Sequence, residues 1–446
     1  MNATTIRDPL IRRTQGKCPD CLRTVPAEVR ETNGRIWLTK QCPRDGASKV
    51  LLSEHPDYYR DLHNYYFGVM RRQYPQRDYI LRLTERCNLE CPICLAGANQ
   101  EVLEDYTLEE VQRLVRGMRG RKIDLMGCEP TVMHDLPAII RAIKASGNIA
   151  ALHSNGVALA DYDYVKQLKD AGMDEVHLQF DGFSDDAYTA IRGKHLLANK
   201  LKAMENLARL GVSVDLVMTI LAGVNEDQIL PVLEFGVQHP NVKEIFFLGC
   251  RMLGRATGKF ESSQLLPDQV IDILARVTND TIGRDKVRRF QKLYFALLSA
   301  FGVRKCLYIQ HYLLIRNDQG GFATLDDIID MPRLERVLEK FRERRERGSR
   351  LAVPLLLLAA APRFINLKAL ALVRDFLALS LLMAFGFNLR KVRKRAIMLG
   401  YITACDPLIF DATIAENCGK GEISKDLGTQ ESGATANVLR EHRWRQ

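Results

Sequence analysis

Six short apolar segments, separated by stretches with the periodicity of helices, constrain the fold of this chain more than any other feature. The segments cover residues 79–83, 123–127, 149–155, 175–181, 213–221 and 244–249. Apolar residues recur with helical spacing between them, in 108–118, 136–145, 164–171, 196–210 and 228–237. Short buried strands that alternate with helices of this length indicate βαβ units and a parallel sheet. We therefore predict an α/β fold.

Three cysteines, Cys87, Cys91 and Cys94, follow the first of these predicted strands. Their C-x3-C-x2-C spacing supplies three thiolates from one short loop, one fewer than the four that ordinarily ligate a cubane iron–sulfur cluster. The fourth iron would then be open to a ligand that reacts. The alternative is a zinc site completed by a fourth ligand elsewhere in the chain, which is a common structural arrangement.

The cysteine loop, together with the strand ends after it, resembles the radical S-adenosylmethionine (radical SAM) superfamily. The resemblance implies a partial (β/α)6 barrel of the TIM type, with its chemistry at the carboxyl ends of the strands. It also implies that Cys87, Cys91 and Cys94 hold a [4Fe–4S] cluster whose open iron binds SAM. In that family, electron transfer from the cluster cleaves SAM to methionine and a 5′-deoxyadenosyl radical, which takes a hydrogen atom from the substrate.

The strand ends carry the residues that the resemblance assigns to SAM binding. The second strand ends in Gly127-Cys128-Glu129-Pro130, where the family usually has Gly-Gly-Glu-Pro. Asn-Gly and Asp-Gly pairs at later strand ends are ordinary turns when taken singly, but here they occur in order at successive strands. For His153, a structural role is favoured over proton transfer. The predicted SAM-binding set is Gly127, Glu129, Ser154, Asn155, Asp181 and Glu226.

A second metal signature lies near the N-terminus. Cys18 and Cys21 form a C-x2-C knuckle, and Cys42 opens another about twenty residues later, as in zinc ribbons and rubredoxin-like sites. We predict zinc or a mononuclear iron there, with Asp45, His55 or a water as the fourth ligand. A knuckle before such a barrel resembles the group that contains tetraether lipid synthase and the pterin-methylating radical SAM enzymes. Those relatives more often have a histidine where this chain has Asp45.

The sequence divides into four predicted regions. They are an N-terminal knuckle domain (1–75), the barrel (76–258), a helical and partly apolar region (259–418) and a polar tail (419–446). Within the third region, the apolar runs 351–362 and 376–389 are each too short to span a bilayer. Basic clusters flank this pair, so buried core helices and a helical pair on an anionic membrane surface both remain open. Nucleic-acid binding is disfavoured, because few aromatic residues interleave with the basic ones.

The eleven cysteines, without a cleavable signal pattern at the start of the sequence, predict a reducing cytosol, with peripheral contact to the membrane as an addition. Besides Cys128, four of them lie outside the two metal signatures. An auxiliary iron–sulfur cluster would need four such ligands, but their loose spacing favours scattered core thiols. They are Cys250, Cys306, Cys405 and Cys418.

The resemblance implies abstraction of hydrogen from an unactivated C–H bond, with an external reductant such as flavodoxin or ferredoxin. The apolar C-terminal runs make a lipid chain the first expectation for the substrate. Methylation of a pterin-like or other small heterocycle is the alternative. A non-catalytic iron–sulfur or zinc scaffold is the alternative from another class, and the SAM-binding motifs speak against it. A peptide maturase is disfavoured, because the C-terminal region lacks a cysteine-rich cluster domain.

Overall fold

A computed structural model describes most of the chain. The described residues are 9–70, 76–100, 104–251, 253–317, 319–327, 329–347, 395–403, 405–423 and 430–435. The apolar runs 351–362 and 376–389 lie outside these residues, as does most of the basic cluster 390–395. Contact with a membrane therefore stays a prediction. In the part of the chain that is described, no helix is both long enough and apolar enough to cross a membrane.

The N-terminal region forms a four-stranded antiparallel sheet followed by a helix. Strands β1 (Leu10–Lys17), β2 (Thr24–Thr32), β3 (Arg35–Cys42) and β4 (Gly46–Ser53) lie in sequence order, and helix α1 spans Pro56–Val69. One face of the sheet is buried because apolar residues alternate with polar ones. In β2, for example, Val25, Ala27 and Val29 point inward. Pro56 is the first residue of α1, where a backbone N–H would have no acceptor within the helix, so proline is tolerated there.

Six parallel strands form the centre of the molecule, and they lie side by side in sequence order. They are β5 (Asp78–Arg82), β6 (Lys122–Met126), β7 (Ile149–Ser154), β8 (Glu175–Gln179), β9 (Ser213–Ile220) and β10 (Val242–Gly249). The helices between them are α2 (Leu108–Val115), α3 (Leu136–Ala145), α4 (Tyr162–Asp170), α5 (Asp185–Arg192), α6 (Leu197–Arg209) and α7 (Ile229–Gln238). The predicted α/β fold with its parallel sheet is confirmed, and only α5 falls outside the predicted helices.

Strands from the C-terminal third extend this sheet on both sides. Helices α8 (Pro267–Val277) and α9 (Arg284–Ala300) precede β11 (Ile309–Arg316) and β12 (Phe322–Thr324), and α10 spans Met331–Glu346. Strand β13 (Ala396–Thr403), the short helix α11 (Ala412–Ala415), β14 (Lys420–Ile423) and β15 (Gln430–Ser432) follow. Strand β13 pairs in parallel with β10, and β14 pairs in parallel with β5. Eleven of the described strands thus form one sheet, in the order β12-β11-β13-β10-β9-β8-β7-β6-β5-β14-β15.

These outer strands differ from two predictions. The region 259–418 was expected to be helical, yet it supplies β11, β12 and β13. The region from residue 419, predicted to be a polar tail outside the folded regions, supplies β14, which completes one side of the barrel. The sequence does not reveal β14 because charged side chains, and not an apolar pattern, anchor it to the neighbouring strands. Its Lys420 pairs with Asp124, and its Glu422 accepts a hydrogen bond from Arg82 at 2.8 Å.

The N-terminal sheet is attached to the segment that precedes β14. The Arg12 guanidinium donates to the carboxylate of Asp411, and the Thr14 hydroxyl donates to the same carboxylate at 2.7 Å. The buried amine of Lys40 donates to the carbonyl of Pro407 at 2.5 Å. The hydrophobic core is correspondingly continuous, since one cluster joins the inner face of the N-terminal sheet to the helix-covered face of the parallel sheet.

Candidate active site and metal centres

The three cysteines of the predicted cluster loop lie just beyond the carboxyl end of β5, each of them partly buried. The Leu89 amide donates to Cys87 Sγ at 3.3 Å, and the Ala98 amide donates to Cys94 Sγ at 3.3 Å. Burial, together with the nearby Glu129 and the other two thiols, raises the pKa of Cys87 to about 11. Thiols of this kind ionise when a metal replaces their protons, and backbone N–H groups then stabilise the resulting sulfur ligands. The residues therefore suit an iron–sulfur cluster.

The end of β6 approaches this loop closely at Gly127. A Cβ atom at this position would lie 2.4 Å from the carbonyl oxygen of Thr84, and the residue has a φ of +150°. Glycine is therefore required for the contact. Cys128 does not adopt a positive φ, so it replaces the family's second glycine without backbone strain, and its amide donates to Thr84 at 2.9 Å.

Glu129 connects the ends of β6 and β7. Its fully buried carboxylate accepts hydrogen bonds from the Ser154 hydroxyl at 3.0 Å and from the Asn155 amide at 2.6 Å. Burial raises the pKa of Glu129, although these donors oppose that shift. The Asn155 side chain reaches the cysteine loop, donating to Asn88 Oδ1 at 2.7 Å and lying 3.8 Å from Cys87 Sγ. Three of the predicted SAM-binding residues therefore meet beside the predicted cluster loop.

Asp181 is surrounded by donors from the protein itself. Its fully buried carboxylate accepts from Arg192 Nε at 2.7 Å and from Arg192 Nη2 at 3.1 Å, and the Thr219 amide donates to it at 3.0 Å. Burial disfavours the charge of Arg192, but the pairing with Asp181 outweighs this and raises the pKa of the guanidinium. Arg192 also lies against Cys91 and opposes the rise in the pKa of that thiol that burial causes. The geometry gives Asp181 the task of orienting a cation next to the cysteine loop.

Lys200 brings a second cation to the same strand ends. Its side chain is fully buried, and its amine donates to Gln179 Oε1 at 2.5 Å and to the carbonyl of Asn155. The amine also lies 5.7 Å from the centre of the Tyr188 ring. Burial lowers the pKa of Lys200 to about 7.

The side chain of Asn225 holds the turn after β9. Glu226, the predicted SAM-binding residue, follows it in the same turn. The buried Asn225 side chain donates to the carbonyls of Asp181 at 3.1 Å and Thr219 at 2.9 Å, and it accepts from the Leu221 amide at 2.9 Å. The Glu226 carboxylate accepts from the Gly223 amide within its own turn. Its predicted contact with SAM stays a prediction.

The N-terminal knuckle gathers four ligand atoms at one point. A sulfur from each of Cys18, Cys21 and Cys42 and an oxygen from Asp45 all lie within 4.8 Å of one another. Asp45 Oδ2 is 3.3 Å from Cys18 Sγ and 3.2 Å from Cys42 Sγ. His55, one of the other candidates for the fourth ligand, instead contacts Asp272 at 2.7 Å. The structure thus favours Asp45 as the fourth ligand. The hydrogen bond to Asp45 raises the pKa of Cys21 to about 12, an effect that a bound divalent cation would reverse.

Comparison with known families agrees with this geometry. Residues 81–236, from β5 into α7, match the family model described as the Radical SAM superfamily. This part of the chain is a radical SAM domain. Residues 10–54, which include the whole knuckle, match a second model, described as the HMPTM N-terminal zinc ribbon domain. The predicted resemblance to radical SAM proteins and the predicted metal knuckle are both confirmed.

Individual relatives of this radical SAM chain cover only parts of it. The 7,8-dihydro-6-hydroxymethylpterin dimethyltransferase of Methanocaldococcus jannaschii is 32% identical over 288 residues, which is 58% of this chain and 57% of that relative. The probable GTP 3′,8-cyclase of Pyrococcus abyssi is 31% identical over 164 residues, 36% of this chain and 53% of that relative. The chain therefore spans little more than half the length of these curated relatives. Among solved structures, Streptococcus suis SuiB bound to S-adenosylmethionine matches with a TM-score of 0.41 and 12% identity, over 57% of this chain and 68% of that one.

Radical SAM enzymes use a [4Fe–4S] cluster and SAM, and they need an electron donor. In this chain Cys87, Cys91 and Cys94 are the residues that would hold the cluster. The remaining four cysteines are less informative. Burial raises the thiol pKa of Cys306 and of Cys405, and the nearby Cys418 adds to both shifts. Cys250 packs elsewhere, against Ile93. An auxiliary cluster stays a prediction.

Two charged residues of this radical SAM site, Arg192 and Lys200, are absent from the predicted set. A signal for Lys200 exists in the sequence, because it lies on the same helical face as Ala203 and Leu207, which are apolar and buried. A lysine on the apolar face of a helix is seldom buried without a partner. Arg192 ends α5, a helix that the sequence pattern does not predict, and we find no comparable signal for it.

Proposed function

We propose that this radical SAM chain transfers a methyl group to a carbon of a pterin-like heterocycle. The observation that carries the proposal is the joint occurrence of two similarities. Residues 10–54 match a zinc ribbon domain named for HMPTM, and 288 residues of the chain are 32% identical to a 7,8-dihydro-6-hydroxymethylpterin dimethyltransferase. Neither a zinc ribbon alone nor a radical SAM domain alone would indicate the class of substrate.

The same comparisons favour this alternative over the lipid chain that was our first expectation. The expectation of a lipid rested on apolar runs that lie outside the described residues. Other curated relatives are named for GTP, and GTP and pterins share a fused 2-amino-4-oxopyrimidine ring. Similarity to two classes of protein named for this ring supports a substrate of the same kind. We further propose a cytosolic location and flavodoxin or ferredoxin as the reductant.

In the proposed reaction, the residues of the chain hold and orient the reacting groups. When bound, the cluster and SAM supply a radical that abstracts hydrogen from the substrate, and a second one-carbon donor provides the methyl group. Glu129 fixes the ends of β6 and β7 against each other through Ser154 and Asn155. Arg192, oriented by Asp181, offers a cation that can receive a carboxylate at the strand ends, and the Lys200 amine is a hydrogen-bond donor at the same ends. The protein thereby supplies position and charge, while the hard chemistry belongs to the cofactors.

The test is transfer of hydrogen from a pterin to the adenosyl group. Reconstituted protein, kept anaerobic, is given dithionite, SAM and 7,8-dihydro-6-hydroxymethylpterin that carries deuterium on its ring carbons and methylene group. We expect 5′-deoxyadenosine that contains deuterium, measured by mass spectrometry, and none from Cys91→Ala. The proposal fails if deuterium never reaches 5′-deoxyadenosine from the pterin while a lipid extract stimulates its formation.

A further inference from the structure

A group of charged and aromatic side chains fills the concave side of the barrel sheet, directly below the strand ends. Asp124 on β6 lies 3.9 Å from His177 on β8, although β7 separates their strands. Adjacent strands are about 4.8 Å apart, so side chains of next-nearest strands meet in this way only inside a curved sheet. His153 on β7 lies between them, with its Nε2 atom 3.4 Å from Asp124 Oδ1.

The two histidines form a stack inside the barrel. The rings of His153 and His177 are 4.1 Å apart, with 3° between their planes, and Phe246 lies 6.2 Å beyond His177. His153 retains 26% of its side-chain surface, whereas His177 retains 5%. His177 covers one face of the His153 ring. The exposed surface of His153 therefore belongs to its other face and its edges, which lie at the accessible end of the stack.

This arrangement disfavours a metal ion, although Asp124, His153 and His177 have the residue types of a metal site. The lone pair of an imidazole nitrogen lies in the plane of the ring, so two parallel rings stacked face to face cannot both point at one ion. Lys122 adds a competing positive charge, with its amine 3.1 Å from His177 Nε2 and 3.5 Å from Asp124 Oδ1.

Two polar atoms of the group point to a ligand of another kind. Among the described residues, no hydrogen bond of ordinary geometry reaches Asp124 Oδ1 or His153 Nε2, and both atoms are buried. Their nearest polar neighbours are each other and the Lys122 amine, which is 3.5 Å from Asp124 Oδ1. The 3.4 Å between Asp124 Oδ1 and His153 Nε2 exceeds the usual length of a hydrogen bond. Buried polar atoms without a partner are rare in proteins and costly, and a bound molecule is a common reason for them.

The charges around the pair suit a neutral ligand with N–H groups. The amines of Lys420 and Lys122 hold the pKa of Asp124 well below its usual range despite its burial, so the carboxylate is ionised and accepts hydrogen bonds. Burial lowers the pKa of His153 and of His177. The shift favours the uncharged form of both rings, which suits stacking on a planar heterocycle.

We propose that Asp124 and His153 form the subsite that recognises the substrate ring, which stacks on His153 and donates an N–H to Asp124 Oδ1. The inference rests on the proposed function, because the 2-amino-4-oxopyrimidine part of a pterin is planar and offers adjacent N–H donors. The subsite also has the right position. His153 directly precedes Ser154 and Asn155, and Asn155 contacts the loop that carries Cys87.

The experiment measures the affinity of the reconstituted full chain, with SAM present, for two probes. One is 7,8-dihydro-6-hydroxymethylpterin, and the other is the lumazine analogue, in which an oxo group replaces the 2-amino group. We expect Asp124→Asn to weaken pterin binding roughly 10- to 100-fold, the range for a hydrogen bond to a charged group, and to reduce the preference for pterin over lumazine. His153→Ala should weaken both probes roughly fivefold, whereas His153→Phe, which keeps a stacking face, should bind nearly as well as the native chain.

The matched controls are His134→Ala and Asp135→Asn, whose side chains are exposed, and they should leave the affinity for both probes unchanged. Iron content and affinity for SAM show whether each variant is intact. If Asp124→Asn is not intact, the comparison of His153→Ala with His153→Phe decides alone. Native affinity for pterin in the Asp124 and His153 variants would overturn the subsite and leave the proposed function standing. Failure of the native chain to bind pterin would overturn both.

Discussion

Lys200 shows how one buried charge at the site affects the stability of the molecule. Its pKa is about 7 in the folded protein, against an ordinary value of 10.5. The unfolded chain therefore binds more protons between these two values, and the free energy of unfolding rises with pH across that window by up to about 1.4 kcal/mol per pH unit. Lys200→Met should lose this contribution, whereas Lys202→Met, at an exposed position of the same helix, should keep it. Anaerobic urea unfolding at several pH values checks this, and an unchanged difference between native and Lys200→Met chains would contradict it.

Residues differ in how far the sequence could foretell them. Glu129, Ser154 and Asn155 follow strands with clear apolar patterns, so their meeting at one edge of the sheet follows from the geometry of parallel strands alone. The predicted Asp181 is present at the same edge, but its carboxylate is occupied by Arg192, from a helix without a clear pattern. Contacts of this type depend on tertiary packing, which places a charge from one element against another. The local pattern of apolar residues therefore does not predict such contacts.

At the scale of elements, strand β14 carries the clearest prediction. Removing residues 420–446 takes away its pairing with β5 and leaves Asp124 without Lys420 and Arg82 without Glu422. Breaking a buried ion pair on one side costs about 3–5 kcal/mol, so the truncated chain should melt at a markedly lower temperature. A chain that ends after Thr435 retains β14 and β15 and serves as the control. Equal melting temperatures of the two truncated chains would show that β14 is dispensable, as expected of a polar tail.

Strands with a clear apolar pattern could be predicted from the sequence. Strands whose position depends on charged contacts or on residues far away in the sequence could not. The six central strands are rich in buried aliphatic residues, and the sequence pattern located each of them. Strand β13, by contrast, lies between β10 and β11, more than a hundred residues from β10 in sequence. Its place in the sheet depends on that long-range pairing, because a single apolar run is compatible with a strand or with a buried helix.

For the whole molecule, the contacts between the two ends of the chain couple the metal knuckle to the barrel. Lys40 lies on β3, which ends at the predicted metal ligand Cys42, and its amine donates to the carbonyl of Pro407. Segment 405–411 leads through α11 into β14, so loss of the metal should loosen the ribbon and then this segment. Hydrogen–deuterium exchange should reveal faster exchange in residues 405–411 for Cys21→Ser, whose zinc content should fall, than for the native chain.

Asp20→Asn is the matched control for this coupling, since Asp20 lies in the same turn but outside the group of four predicted ligands. It should keep both the metal and the slow exchange of 405–411. If Cys21→Ser loses its metal while this segment stays protected, the knuckle is a separate unit and the contacts of Lys40 and Arg12 with the C-terminal third do not transmit its state. If the knuckle and residues 405–411 lose protection together, metal binding near the N-terminus helps to hold β14 at the edge of the barrel. That coupling would give the small ribbon a structural role for the catalytic domain that follows it.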